Sequence, residues 1–439
     1  MRSHPRRASY GLWGCGIEAA ADMRIAIIGG GVSGLAVARR LHQRHDITVF
    51  EACDRLGGHV NTIDVPLAGK SYAVDTGFIV FNDRNYPGFS GLLRDLGVAS
   101  QDTAMTFSVR CEQSGLEYNG DTLNTLFAQR RNLIRPQFYG MLRDILRFNR
   151  EAPRLLSELD PHTTLGEILA QGQYGELFRN RYLLPMGAAI WSACPDKIEQ
   201  FPALGFIEFF RNHGLLTVND RPQWRSVVGG SREYVKALVA PFQDRVRLAT
   251  PVRRVLRRPD RVLVTTDEDN AVFDQVVFAC HSDQALALLE DPSTAEREVL
   301  GALPFQSNDA VLHTDPRLMP RRRLAWAAWN YHVPCEPQSR VAVTYDMNSL
   351  QCLDVPETFF VTLNYQGEID PDRVIQRIRY AHPLYTPEAA RARGRRAEIS
   401  GVNRSWYCGA YWTYGFHEDG FQSGRMVGDA LMDERDLAA

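Results

Sequence analysis

A glycine-rich turn near the start of the chain has the residue types that bind phosphate. Residues 24–41 read RIAIIGGGVSGLAVARRL, in which Gly29, Gly31 and Gly34 follow an apolar run and precede helical spacing. In such a turn Gly29 permits a tight bend, Gly31 lets the backbone approach a pyrophosphate, and Gly34 lets helix and strand pack closely. The helix, with Ser33 in its first turn, would present unpaired N–H groups to the phosphates. The spacing therefore predicts a dinucleotide site.

An acidic residue follows at the distance that such a site requires. A second apolar run, residues 47–50, ends in Glu51, 20 residues after Gly31. A carboxylate there accepts hydrogen bonds from an adenosine ribose and disfavours a 2′-phosphate. These residues need a strand, a turn, a helix and a second parallel strand to position them, which predicts an α/β domain.

The residues after Glu51 make the prediction more specific. Glu51-x-x-x-Arg55-x-Gly57-Gly58 resembles the flavin amine oxidase superfamily, which includes monoamine oxidases, protoporphyrinogen oxidases and phytoene desaturases. The resemblance implies FAD, bound non-covalently, with Arg55 and the Gly57-Gly58 pair along its pyrophosphate and ribityl chain. The chain is most similar to a branch of bacterial predicted NAD/FAD-binding proteins. That branch is often encoded beside cyclopropane-fatty-acid-synthase-like methyltransferases, which hints at lipid substrates.

The resemblance extends over nearly the whole chain and implies further cofactor contacts. A backbone group near the adenine and the closing motif WYCGAYWTYGFHEDGFQSGRMVGDAL would supply them through Val252, Gly409, Asp419, Gly420 and Phe421. The last helix would point its N-terminus at the C2 carbonyl of the flavin and stabilise negative charge there. The strand that usually ends in Ala-x-Pro ends here in Cys280-His281.

The fold implied is α/β, with two interleaved units. A Rossmann-like FAD-binding domain, three-layered around a parallel sheet, is expected from residues 23–85, 215–290 and 400–435. An α+β substrate domain is expected from residues 86–214 and 291–399. Residues 1–22 contain Arg6-Arg7 but lack an uninterrupted apolar region, so we expect a disordered leader or an upstream start rather than a targeting signal.

Composition removes several other classes of function. The net charge is −2, which gives no case for nucleic acid. The eight cysteines are scattered, which favours reduced thiols in a cytoplasmic protein, and no segment is apolar for long enough to span a membrane. The eleven histidines show no metal-ligand spacing, so no metal is predicted and each is interpreted as a surface or hydrogen-bonded core residue.

The substrate half is expected to be apolar. Within residues 136–155, the spacing of Phe138, Leu142, Ile145 and Leu146 predicts a helix that packs on the core, with a peripheral membrane-surface helix as the alternative. Residues 182–212 are rich in Leu, Trp and Phe, and in the superfamily this region covers the substrate cavity. Residues 322–333, RRLAWAAWNYHV, are interpreted as an aromatic strand.

The reaction class follows from what is absent from the sequence. The only lysines are Lys70, Lys197 and Lys236, and by resemblance an amine oxidase would carry one on the strand 303–315. We therefore expect an FAD-dependent oxidation, desaturation or double-bond isomerisation of an apolar, lipid-like small molecule. The alternatives are amine oxidation and a non-catalytic lipid-binding protein on the same fold. Residues expected to face the flavin are Trp412, Tyr414 and His417.

Overall fold

The computed structural model describes residues 23–160, 163–191, 195–217, 221–334 and 342–436. The leader expected at residues 1–22 lies outside these residues. The described strands are β1 (Arg24–Ile28), β2 (Asp46–Phe50), β3 (Thr62–Leu67), β4 (Lys70–Asp75), β5 (Val80–Asn82), β6 (Ser100–Thr103), β7 (Phe107–Cys111), β8 (Leu116–Asn119), β9 (Trp224–Val227), β10 (Val246–Arg247), β11 (Val252–Arg257), β12 (Val262–Thr266), β13 (Asn270–Phe273), β14 (Gln275–Phe278), β15 (Phe305–His313), β16 (Trp329–Val333), β17 (Ala342–Asp346), β18 (Phe360–Leu363), β19 (Val374–Pro383) and β20 (Ser405–Tyr407).

Helices connect these strands. They are α1 (Val32–Leu41), α2 (Pro87–Leu96), α3 (Leu123–Leu126), α4 (Pro136–Leu155), α5 (Leu165–Gln171), α6 (Glu176–Phe178), α7 (Leu184–Trp191), α8 (Pro195–Ile198), α9 (Ala203–Asn212), α10 (Arg232–Val239), α11 (Ser282–Leu288), α12 (Thr294–Gly301), α13 (Met347–Gln351), α14 (Pro387–Gly394) and α15 (His417–Asp436). A π-helical turn, Arg179–Leu183, joins α6 to α7. In the described part of the chain, every helix is too short or too polar to cross a bilayer.

A five-stranded parallel sheet carries the predicted nucleotide site. Its strand order is β10-β2-β1-β14-β20, and all neighbours run parallel. Along β1, Ile25 and Ile27 face a core shared with α1, α10 and α15, while Ala26 and Ile28 face one shared with the β11-β12-β13 meander. Side chains alternate across a strand, so both faces of the sheet are covered. This three-layer arrangement confirms the predicted fold class.

A seven-stranded mixed sheet forms the second unit. Its order is β19-β15-β18-β17-β16-β7-β8, and only β16 and β7 among these neighbours run parallel. Helices α4 to α9 pack against β7 and β8 through a core rich in aromatic side chains, which includes Phe138, Phe148, Phe178, Phe206 and Phe210. The predicted ranges 86–214 and 291–399 supply these seven strands, whereas the domain boundaries themselves stay a prediction.

Two local predictions are wrong in part. On α4, Phe138 is buried and Leu142 and Ile145 pack against the same core, as the spacing predicts, whereas Leu146 is 59% exposed. Met141 and Phe148 are buried as well, and the buried Asp144 accepts a hydrogen bond from the Gly175 N–H at 2.9 Å.

The segment 322–333 is not one continuous strand. Its first part forms a 3-10 turn at Arg323–Ala325, and only β16 is extended. The turn is held by the indole N–H of Trp326, which donates to the carbonyl of Pro320 at 2.8 Å. A local hydrogen bond of this kind competes with strand pairing, and the aromatic pattern does not reveal it.

Candidate functional site

The turn after β1 uses its glycines for three different physical reasons. Gly29 has φ +112°, and a Cβ there would lie 2.7 Å from the carbonyl oxygen of Ala279. A Cβ at Gly34 would collide with the carbonyl oxygen of Gly29, so this glycine permits close packing of helix and strand. At Gly31 an added Cβ would meet no atom within 4 Å, because this glycine faces a cavity.

Glu51 holds the turn from the end of β2. Its carboxylate accepts a hydrogen bond from the Gly30 N–H at 2.8 Å and another from the Cys53 N–H at 2.9 Å. A carboxylate has about four lone-pair sites, so two backbone bonds leave acceptor capacity for a ligand. Glu51 also lines the cavity, as the predicted contact with a ribose requires.

Arg55 acts on the backbone rather than on the cavity. Its guanidinium donates to the carbonyls of Gly58 at 3.1 Å and Val60 at 2.9 Å, and it is not among the residues that line the cavity. These bonds fix a bend in which Gly57 has φ +112° and Gly58 has φ +59°. Both glycines line the cavity. Arg55 therefore positions this bend, and its contact with the pyrophosphate stays a prediction.

The other predicted cofactor residues divide into two groups. Ser33, Val252 and Gly409 line the cavity. Three residues of the closing motif lie behind it and support the start of α15. Asp419 accepts a hydrogen bond from the Phe416 N–H at 2.8 Å. A Cβ at Gly420 would lie 2.8 Å from Cγ1 of Val32, and Phe421 is buried in the core shared with α1, α10 and α15.

The three candidate catalytic residues have different environments. Tyr414 lines the cavity and donates its hydroxyl hydrogen to a Glu208 carboxylate oxygen at 3.0 Å. His417, the first residue of α15, also lines the cavity, and its Nε2 lies 2.7 Å from the Tyr234 hydroxyl. Trp412 is buried in the core shared with the β11-β12-β13 meander and is not a lining residue, so that it faces the flavin stays a prediction.

Burial fixes the protonation of two of these groups. It lowers the pKa of His417 to about 3, so the imidazole is neutral near pH 7. The ring stacks on Phe78 with centroids 3.8 Å apart, which also limits its movement. Burial raises the pKa of Tyr414 to about 12, and its bond to Glu208 acts in the same direction. Tyr414 is therefore a neutral phenol with a carboxylate partner.

The histidines interpreted as surface or core residues include several that line the cavity. His59, His281 and His382 line the cavity, and His59 stacks on Tyr380 with centroids 5.1 Å apart. The ring of His382 lies 5.2 Å from that of His59, and burial lowers the pKa of His382 to about 4. The sequence contains one signal for His281, because this residue follows Cys280 at the end of a strand that usually ends in Ala-x-Pro in the family. His59 and His382 are brought together only by the tertiary fold.

The whole site is one cavity of about 910 Å³ that spans both units. One end is lined by the glycine turn, Glu51 and Val252, and the other end by aromatic and aliphatic side chains. Among the lining residues, the buried Nε2 of His59 has no hydrogen-bond partner within the protein. Cys280 also lines this cavity, and burial raises the pKa of its thiol to about 12, which keeps it protonated and unreactive.

These features fit FAD. The open space at Gly31 and the start of α1 suit a pyrophosphate, the Glu51 carboxylate suits a ribose, and the unpartnered His59 nitrogen can bond to a bound group. No group of three or more metal-ligating side chains occurs among the residues the structure describes.

Comparison with known proteins identifies the class. Residues 32–350 match the family model described as flavin containing amine oxidoreductase, and the chain belongs to this family. The resemblance drawn from the motifs is thereby confirmed, as are FAD as the cofactor and the oxidoreductase class. The family is defined by its flavin chemistry, and its members differ in what they oxidise.

Individual comparisons give one sequence relative and two structures of the same fold. A Mycobacterium tuberculosis protein, provisionally named flavin-containing monoamine oxidase AofH, is 28% identical over 276 residues, which is 61% of this chain. The chain spans 59% of the length of that relative. Cyclohexylamine oxidase from Brevibacterium oxydans IH-35A has the same fold, with a TM-score of 0.71, 16% identity and coverage of 95% of this chain and 100% of that one. The CLA-producing fatty acid isomerase from P. acnes gives a TM-score of 0.65, 15% identity and coverage of 94% and 98%.

Proposed function

We propose that this protein is an FAD-dependent oxidoreductase that acts on an apolar, unsaturated acyl chain by hydride transfer. The observation that supports the substrate class is the lining of the cavity beyond the nucleotide end. It consists mainly of aromatic and aliphatic side chains, among them Met186, Ile190, Trp191, Phe209, Trp329 and Leu363. No lysine occurs among the described residues that line it.

A lining of this kind suits hydride chemistry. The chemistry that FAD supplies when bound is acceptance of a hydride from a substrate carbon. An apolar enclosure excludes water from that carbon and needs no charged group beside it. The strand positions expected to carry an amine oxidase lysine, Ala310 and Val311, are buried in the seven-stranded sheet and are not lining residues.

Tyr414 is the residue best placed to handle a proton. Its phenol lines the cavity, and its hydrogen-bond partner Glu208 has a side chain that is 46% exposed. A proton accepted at the Tyr414 oxygen would be balanced by transfer of the phenolic proton to the Glu208 carboxylate, which is partly exposed and can release it to solvent. His417, with its pKa lowered to about 3, is a weak base, and we assign it to orienting neighbouring rings.

Arg221 supports a substrate that carries a carboxylate. Among the described lining residues the formally charged side chains are Glu51, Arg253 and Arg221. Glu51 belongs to the nucleotide end, and Arg253 is bound to Asp267 at 2.8 Å. Arg221 lies beside Tyr182, a residue of the substrate unit whose raised pKa it opposes. A guanidinium there can bind the carboxylate of an acyl chain whose apolar part extends toward the flavin position.

The test is anaerobic reduction of the bound flavin. The purified holoenzyme, which should be yellow, is mixed with unsaturated fatty acids, their saturated counterparts or primary amines, and the flavin absorbance is followed. Bleaching or a spectral shift with the unsaturated acids alone supports the proposal. Turnover of a simple amine at an ordinary rate of about 1 per second or more, without response to any acyl chain, would overturn it.

Amine oxidation is the second candidate function. The family and the name of the Mycobacterium tuberculosis relative favour it. Tyr414→Phe tests the proton-handling residue under either candidate function, because proton handling is typically worth about 100-fold or more. A loss of that size in flavin reduction, with FAD occupancy unchanged, would assign Tyr414 a proton-handling role, and a loss under about threefold would remove it.

A further inference from the structure

An exposed apolar face bordered by arginines lies on the substrate half, outside the cavity. Leu123 is 77% exposed, Ile134 is 84% exposed, and Leu133 and Tyr139 are each nearly half exposed. We propose that this face docks peripherally on an anionic lipid bilayer. We call it the docking face and define it by Leu123, Arg130, Arg131, Leu133, Ile134 and Tyr139. The proposal does not depend on the substrate class.

The apolar part of the docking face is unusual in its concentration. Leu123 and Ile134 are the two most exposed large hydrophobic side chains among the described residues. Single exposed apolar side chains are common on soluble proteins, whereas several together mark an interaction site. Tyr139 is fixed beside them, since its hydroxyl donates to the carbonyl of Leu133 at 3.0 Å.

The charge of the surrounding surface identifies the partner. Between Asp121 and Glu151 the sequence contains six arginines and a single acidic residue, Asp144, although the whole chain has a net charge of −2. Asp144 pairs with Arg143 and Arg147, and Arg150 pairs with Glu151, which leaves Arg130, Arg131 and Arg135 without an ion-pair partner among the described residues. Anionic headgroups attract basic residues beside a membrane by about 1 kcal/mol each.

The arginines of the docking face keep their charge available. Arg130 donates to the carbonyl of Phe127 at 3.0 Å and to the amide oxygen of Asn124 at 2.7 Å. Arg131 donates to the carbonyl of Gly115. None of these partners carries a formal charge. A second copy of this chain is a poor occupant, because a two-fold interface would place the two positive faces against each other.

The docking face is rigid and adjoins the cavity. The ring of Phe127 packs against that of Phe138, a buried core residue of α4, with centroids 5.5 Å apart. Gly120, just after β8, lines the cavity, and Leu123 begins α3 only three residues later. A bilayer on the docking face would therefore lie close to one end of the cavity.

Vesicle co-sedimentation of the full-length holoenzyme tests the proposal. The vesicles are phosphatidylcholine alone or phosphatidylcholine with about one third phosphatidylglycerol, because the anionic lipid is the predicted ligand. We expect binding to the anionic vesicles, a loss of at least about thirtyfold in the partition coefficient for Arg130→Glu/Arg131→Glu, and a loss of at least about tenfold for Leu123→Ser/Ile134→Ser. Two variants elsewhere serve as matched controls and should bind as the wild type does, namely Met426→Ser and Arg258→Glu.

Three results would overturn the proposal. They are no binding to anionic vesicles, equal binding to both kinds of vesicle, and equal loss in the docking-face and control variants. Flavin absorbance and thermal melting show whether each variant is folded. A wild-type dimer that Leu123→Ser/Ile134→Ser makes monomeric would be a fourth result against the proposal, because it would identify the face as a subunit interface. Because the assay needs no turnover, vesicle binding can succeed while the acyl-chain proposal fails, and the reverse.

Discussion

Replacing Gly31 by alanine should change cofactor affinity and protein stability in opposite directions. Gly31 has φ −78° and ψ 178°, which any residue adopts without strain. Its added methyl group would meet no protein atom within 4 Å. A compatible glycine-to-alanine change stabilises a protein by about 0.4–1 kcal/mol, because it restricts the unfolded chain. The apoprotein should therefore melt at the same temperature or slightly higher.

FAD affinity should fall in the same variant. The methyl group would occupy the space through which the pyrophosphate must approach the backbone. Loss of one hydrogen bond to a charged group costs about 1.5–3 kcal/mol, which corresponds to a rise of about ten- to 150-fold in Kd. The assay is titration of the apoprotein with FAD, followed by flavin fluorescence, together with a thermal melt without cofactor.

A matched control is available on α9. Gly205 also has open space at its Cβ position, so Gly205→Ala should raise stability similarly and leave the Kd for FAD unchanged. In contrast, Gly34→Ala should reduce both stability and affinity, because the new methyl group collides with the backbone of Gly29. An unchanged Kd in Gly31→Ala would refute the placement of the pyrophosphate at this turn.

Three further predictions concern single side chains. Glu51→Ala should weaken FAD binding by about ten- to 100-fold, because it removes charged hydrogen bonds. Asp54→Ala on the same loop should leave the Kd for FAD unchanged, and equal Kd values for the two variants would show that Glu51 does not bind the ribose. Burial lowers the pKa of His417 to about 3, so between about pH 6.5 and pH 3 the unfolded chain binds a proton at this residue and the folded protein does not. The free energy of unfolding therefore falls as the pH drops from about 6.5 toward 3. His417→Phe should make that fall shallower in thermal melts at about pH 7 and pH 5, and parallel curves would contradict the assignment. Arg221→Met should raise the KM for a free fatty acid and not for its methyl ester; an equal change for both would exclude carboxylate binding.

The sequence predicts the nucleotide end of the site well because its determinants are local. Gly29, Gly31, Gly34 and Glu51 lie within one strand-turn-helix-strand unit, where spacing along the chain nearly fixes spacing in space. The alternation of Ile25 and Ile27 with their neighbours likewise follows from the period of a strand. Here the residue pattern and the structure report the same short-range geometry.

The substrate end could not be predicted to the same depth. His59 and His382 are 323 residues apart and meet only because β19 pairs with β15 beside the turn after Gly58. On α4, hydrophobic spacing does not reveal the buried position of Asp144 or its contact with the Gly175 N–H. Such features are set by tertiary packing, and local periodicity carries no information about them.

The order of strands in the parallel sheet has a consequence for how the protein is made. Its central strand, β1, begins at Arg24, and an edge strand, β20, ends at Tyr407. Helix α15, which packs on α1, follows later still. The parallel sheet and its helical layer can therefore be completed only after almost the whole chain has been synthesised. Contacts of such long range slow folding and leave strand edges exposed meanwhile. FAD should thus load after translation, onto a finished chain.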